Sequence, residues 1–204
     1  MILINTASRI REAIDNPVLT ARIDDSLSDL KTFFMHPEFH ALLETVGENG
    51  EFIDTINGRI INPGHCIETA WFILEESRYR GWDKEMLETA LTILDWSWEW
   101  GWDKDFGGII NFRDCRNLPV QDYSQDMKFW WPQTEAIIAT LYAYEATGDE
   151  KYLKMHIRLV IGHMHISRTG NTENGTGICI ATAVWPSRQG EYLQRAFSYS
   201  QNDD

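Results

Sequence analysis

Cysteine and positive charge are both scarce in this chain, and each shortage removes a class of function. The three cysteines, Cys66, Cys115 and Cys179, are odd in number and far apart, with no CxxC pair. Neither a disulfide framework nor a zinc or redox motif is written there, and they read as reduced thiols of a cytoplasmic protein. Lysine and arginine total 18 against 31 acidic residues, a formal net charge of -13. That balance argues against nucleic acid and against anionic membrane surfaces, since both recruit cations. No apolar run approaches the length of a membrane span, and the N-terminus lacks the basic and then apolar layout of a signal peptide. A small neutral or weakly charged ligand suits this composition better.

What is present is the material of a packed helical domain. The 204 residues are 43% hydrophobic and 24% charged, enough apolar surface for one full core. The apolar period is helical almost everywhere up to Met155. Ile23, Leu27, Leu30 and Phe34 form one stripe; Leu87, Leu91, Leu94 and Trp98 a second; Ile137, Ile138, Leu141 and Tyr144 a third. Breakers at Asn16-Pro17, residues 47–50, Gly81, Gly107-Gly108 and Gly148-Asp149 separate helices by short connections. Such a chain is expected to be all-α, a toroid or solenoid of helical hairpins, with residues 109–112 as a strand of a small β-hairpin.

Two helix starts carry acid–base groups. In Asn62-Pro63-Gly64-His65-Cys66-Ile67-Glu68-Thr69-Ala70-Trp71 the breaker cluster precedes an apolar series of helical spacing. His65 and Glu68, three residues apart, share one face of the first turn. The positive end of the helix dipole favours neutral imidazole, the form that acts as a base. The plainer reading is a histidine that caps or packs. In Trp130-Trp131-Pro132-Gln133-Thr134-Glu135 a proline again marks a helix start, and Glu135 again falls in its first turn. Trp71, Trp130 and Trp131 are candidate faces for a sugar ring, although tryptophan at helical spacing is more often core. Glu68 with Glu135 also suits glycoside hydrolysis by paired carboxylates. His36 and His40 flank Pro37, lack an HExxH pattern, and read as surface or packing residues.

On these motifs, and on Leu42-Leu43-Glu44-Thr45-Val46, Trp96-Ser97-Trp98-Glu99-Trp100-Gly101-Trp102-Asp103 and Thr147-Gly148-Asp149-Glu150-Lys151-Tyr152-Leu153, the chain resembles the N-acylglucosamine 2-epimerases, a family that includes the renin-binding proteins. The resemblance implies part of an (α/α)6 barrel with the sugar bound at one end, and a reaction without cofactor or metal. It implies epimerisation of a monosaccharide at C2 after ring opening, with His65 as one of two histidine bases and Glu68 and Glu135 binding substrate and assisting. An aldose-ketose isomerase on the same scaffold, or a non-catalytic fragment, are the competing readings. For intact relatives the resemblance leaves room for a homodimer.

The chain departs from the family twice. It begins where the family's barrel is already partly built, and the family pattern stops shortly after Met155. Where the resemblance implies a GEWYGY segment and then a KGPFH segment with the second histidine, the chain reads Gly170-Asn171-Thr172-Glu173-Asn174-Gly175-Thr176-Gly177. Residues 164–186 and 189–204 are compatible with DNA that encodes those segments in neighbouring frames. The expected organisation is therefore a partial barrel over residues 1–156, followed by a frame-shifted, poorly ordered tail over 157–204, with this chain alone inactive as an epimerase.

Overall fold

Side-chain caps and short turns set the helix boundaries in the computed structural model, which describes residues 1–14 and 16–169. Helix α1 (Ile2–Ala13) turns back into α2 (Pro17–Asp29) at Asn16, whose side-chain oxygen accepts the Val18 N–H at 3.0 Å. Proline at the first helical position costs α2 nothing, because that N–H has no intrahelical partner. A wider turn over Leu30–Phe34 leads to the antiparallel pair β1 (Met35–His36) and β2 (Ala41–Leu42). A one-turn helix, α3 (Ile56–Arg59), precedes β3 (Ile60–Ile61). The long helices follow: α4 (Pro63–Tyr79), α5 (Lys84–Gly101), α6 (Trp130–Thr147) and α7 (Glu150–Thr169).

The pairs α1/α2, α4/α5 and α6/α7 are hairpins, and α4 also packs along α6, so the hairpins lie side by side as a partial (α/α)6 toroid. Gly148 ends α6 in the left-handed region at φ 66°, which lets α7 begin two residues later. Ile67, Ile73, Leu74, Ile93 and Leu94 are fully buried where α4 meets its neighbours. Each such side chain contributes about 1.5–3 kcal/mol of transfer free energy.

Three details differ from the sequence reading. Residues 109–112 do not form a strand: Ile109 makes a single bridge to Trp102, and pairing begins only at β4 (Arg113–Asp114), against β3. The Gln133 side chain takes both polar groups of the Ile109 backbone, accepting its N–H at 2.8 Å and donating to its carbonyl at 2.7 Å, so the strand hydrogen bonds are replaced. On α6 the buried line is Ala136, Ala139, Thr140 and Ala143, while Ile137, Ile138, Leu141 and Tyr144 are half-buried. With α4 and α7 both packed on α6, the small residues occupy the closest approach. Finally, helical structure continues past residue 156, since α7 runs on to Thr169 with Leu159 in the core. The glycine-rich run from Gly170, Cys179 and the rest of the expected tail lie outside the described residues.

A charged cluster ties the first hairpin to α4. Glu76 is fully buried, and its two oxygens accept from the Arg11 guanidinium at 2.9 and 2.6 Å and from Arg80 Nε at 2.7 Å. Arg80 pairs in turn with Asp24 of α2 at 2.7 Å.

Candidate active site

The first turn of α4 is wedged between the end of α5 and the start of α6, and two glycines make that possible. A Cβ on Gly64 would stand 2.5 Å from the Trp131 ring, and one on Gly101 would stand 2.5 Å from Pro63. Asn62 caps the helix by accepting the His65 N–H at 3.1 Å. His65 therefore leaves the helix at its tip, where its ring lies against Trp131 with centroids 5.0 Å apart.

Its Nδ1 is paired with the Glu44 carboxylate, from the segment after β2. This bond dominates the electrostatics of the imidazole. The Glu44 hydrogen bond raises the His65 pKa above its ordinary value, with Glu44 and Glu68 charges adding to it and partial burial opposing. The helix-dipole argument from sequence gave the opposite direction. A full negative charge in contact outweighs the partial charge of a helix end.

Glu68 follows on the next turn. Partial burial raises its carboxyl above the usual range, against the opposing pull of His65 and of the Met1 amino group. Glu135, at the start of α6, is also raised by burial, opposed by a hydrogen bond from Trp71 and reinforced by the Glu68 charge. His65 acts on Glu68 and Glu68 acts on Glu135, so the three groups picked out in the sequence share one electrostatic neighbourhood. They do not share one wall. A cleft of about 360 Å³ is lined by His65, Glu44, Cys66 and Thr69 on one side and by Leu3, Leu30 and Phe34 among others, and neither Glu68 nor Glu135 lines it.

The three tryptophans divide. Trp71 spends its indole N–H on Glu135 Oε2 at 2.5 Å and is covered by Phe72 and Tyr142, so it braces the carboxylate. Trp131 packs on His65 and Gly64. Trp130 is exposed and, among the described residues, makes no ring contact with His65. Glu44 had no role in the sequence reading: it lies 21 residues from His65, beyond any helical or strand spacing. The visible hint was the apolar pair Leu42-Leu43, which anchors the segment that carries it.

Cys66 and Cys115 are buried free thiols. Burial pushes the Cys66 thiol far up and Cys115 up to about 11, so neither is a ready nucleophile. Among the described residues no three His, Cys, Asp or Glu side chains are grouped to hold a metal ion. No described helix is long and apolar enough to cross a membrane.

Comparison with known proteins bears on this geometry. The sequence profile of N-acylglucosamine 2-epimerase (GlcNAc 2-epimerase) matches residues 14–170. The N-acylglucosamine 2-epimerase of Bos taurus is 33% identical over 156 residues, 76% of this chain and 37% of its own. The chain thus spans little more than a third of that curated relative. A D-mannose isomerase structure superposes with TM-score 0.68 at 21% identity, over 79% of this chain and 43% of its own. The cellobiose 2-epimerase of Bacillus thermoamylovorans gives 0.66 at 20% identity, over 80% and 39%. At those identities the two structures establish the shared fold.

Proposed function

Because this chain belongs to the N-acylglucosamine 2-epimerase family, we propose that it carries part of the proton-transfer site of a sugar 2-epimerase, with an open-chain N-acylglucosamine or N-acylmannosamine as substrate. His65 is the base. Its Nε2 takes the proton from C2, the C2–H electrons form the C1–C2 double bond, and the carbonyl π pair moves onto O1 to give an enolate. Glu68 and Glu135 do not line the cleft at His65; burial raises both carboxyls above the ordinary value, which suits them to assist as acids towards O1 or a neighbouring hydroxyl of a sugar that reaches past that cleft along α4. The observation that carries this reading is the meeting of two helix starts: His65 at the tip of α4 lies against Trp131 at the start of α6, and Glu135 of α6 accepts from Trp71 of α4. The setting read from the composition is cytoplasmic.

Inversion requires a second acid on the opposite face of C2. With His65 alone, the proton returns to the face it left. His65 is 41% exposed, so its acquired proton exchanges with solvent before return. In deuterium oxide the 204-residue protein is expected to place deuterium at C2 of N-acetylmannosamine, and His65→Ala is expected to abolish this. Equal label with and without the imidazole would end the proposal. Formation of a ketose would redirect it to an aldose-ketose isomerase, which begins with the same C2 proton removal.

A further inference from the structure

We propose that Glu44 is a positioning residue for His65, holding the proton of the imidazole on Nδ1 and leaving Nε2 as the basic nitrogen. The inference rests on the reading of His65 as the C2 base, but its physical content is separable from it. A neutral imidazole in water prefers its proton on Nε2, which would leave Nδ1, the nitrogen nearer the backbone, as the basic site. A carboxylate at Nδ1 reverses that preference, because it can only accept. The remaining lone pair is then presented at the far edge of the ring.

The scaffold around Glu44 shows that the pairing is built into the fold. Leu42 and Leu43, the two residues before Glu44, are both buried in the core. The Leu43 N–H donates to the Phe34 carbonyl at 2.9 Å, and the Cys66 thiol donates to the Leu42 carbonyl at 3.3 Å. The strand end that carries Glu44 is therefore pinned to the residue next to His65. Trp131 packs against the imidazole at a tilt of 35°, and Asn62 fixes the backbone from which the ring projects. Two charged groups act on the imidazole, Glu44 from this segment and Glu68 from its own helix. Among the described residues Glu44 alone bonds a ring nitrogen of His65. A carboxylate that only decorated the surface would need none of this anchoring.

Substituting Glu44→Gln keeps the size and removes the charge. Nitrogen-15 and proton NMR of the His65 ring, across a pH titration of the 204-residue protein, should show two changes. The titration midpoint should move down, and the neutral ring should redistribute from Nδ1–H towards Nε2–H. Glu44→Asp, which retains the charge on a shorter arm, should recover part of both. In deuterium oxide at fixed neutral pH, C2 exchange should slow by a factor on the order of ten in the glutamine variant. An unchanged tautomer and midpoint in Glu44→Gln would overturn the proposal. If both move while no variant, nor the parent, exchanges C2, the role of Glu44 stands and the sugar reading fails.

Discussion

At the level of single residues, a charged partner within hydrogen-bond reach governs behaviour. His65 is half-exposed and its proton affinity is raised by an acidic neighbour, so the base form gains population as pH rises through that elevated value. Glu76 is the opposite case. Its burial alone would raise its pKa, yet the hydrogen bonds and charges of Arg11 and Arg80 outweigh that and hold it below the ordinary carboxyl value. A carboxyl depressed in the folded state contributes stability that is fully present above its unfolded pKa and is lost as pH falls through the folded value. Glu76→Gln is expected to lower stability by about 3–5 kcal/mol at neutral pH, because it leaves two guanidiniums facing a neutral partner. Urea unfolding of the variant beside the parent would measure this. The same comparison at acid pH should show a smaller gap, since there the parent's carboxyl has itself been neutralised.

Between elements, the decisive feature is how closely the starts of α4 and α6 approach. Gly64 has an ordinary helical backbone, so its value lies in the missing side chain and not in conformational freedom. Gly64→Ala would press a methyl group against the Trp131 ring and against Pro132, whose Cβ is 3.1 Å from the ideal position. Overpacking of this kind costs about 1–3 kcal/mol. It should also displace the tryptophan that flanks His65, so thermal melting and C2 exchange are expected to fall together. A variant as stable as the parent, with full exchange, would show that the tips of α4 and α6 are not wedged as described. The caps of α2 and α4 were legible in the sequence, Asn16 and Asn62 each preceding proline, whereas α6 starts at Trp130 without a side-chain cap. Residues 109–112 were not, because their backbone partners lie far off in sequence: Gln133 takes both groups of Ile109, and Ile110 and Phe112 donate to the Gly101 and Gln125 carbonyls.

For the molecule as a whole, the first hairpin presents apolar side chains outwards. Ile2, Leu3, Ile10 and Ile14 on or beside α1 and Val18 on α2 are all exposed. Exposed apolar surface concentrated on one edge favours association. The 204-residue chain is expected to sediment faster as its concentration rises through the micromolar range, and Leu3→Lys with Ile10→Lys should suppress this. A single monomeric species for the parent at all concentrations would refute it.

The kind of fold was already contained in the order of the residues, because helix period, caps and breakers act between neighbours a few positions apart, and the family was carried by the resemblance of the motifs. His65, Glu68 and Glu135 could be named as candidates for the same reason, each standing in the first turns of a helix with a recognisable start. Folding alone settled which way the His65 proton equilibrium leans, which tryptophan braces a carboxylate, and that Glu44 reaches the imidazole at all. Electrostatic and hydrogen-bond energies depend on distance through space, and the groups that set them here come from segments that meet only when the chain has packed.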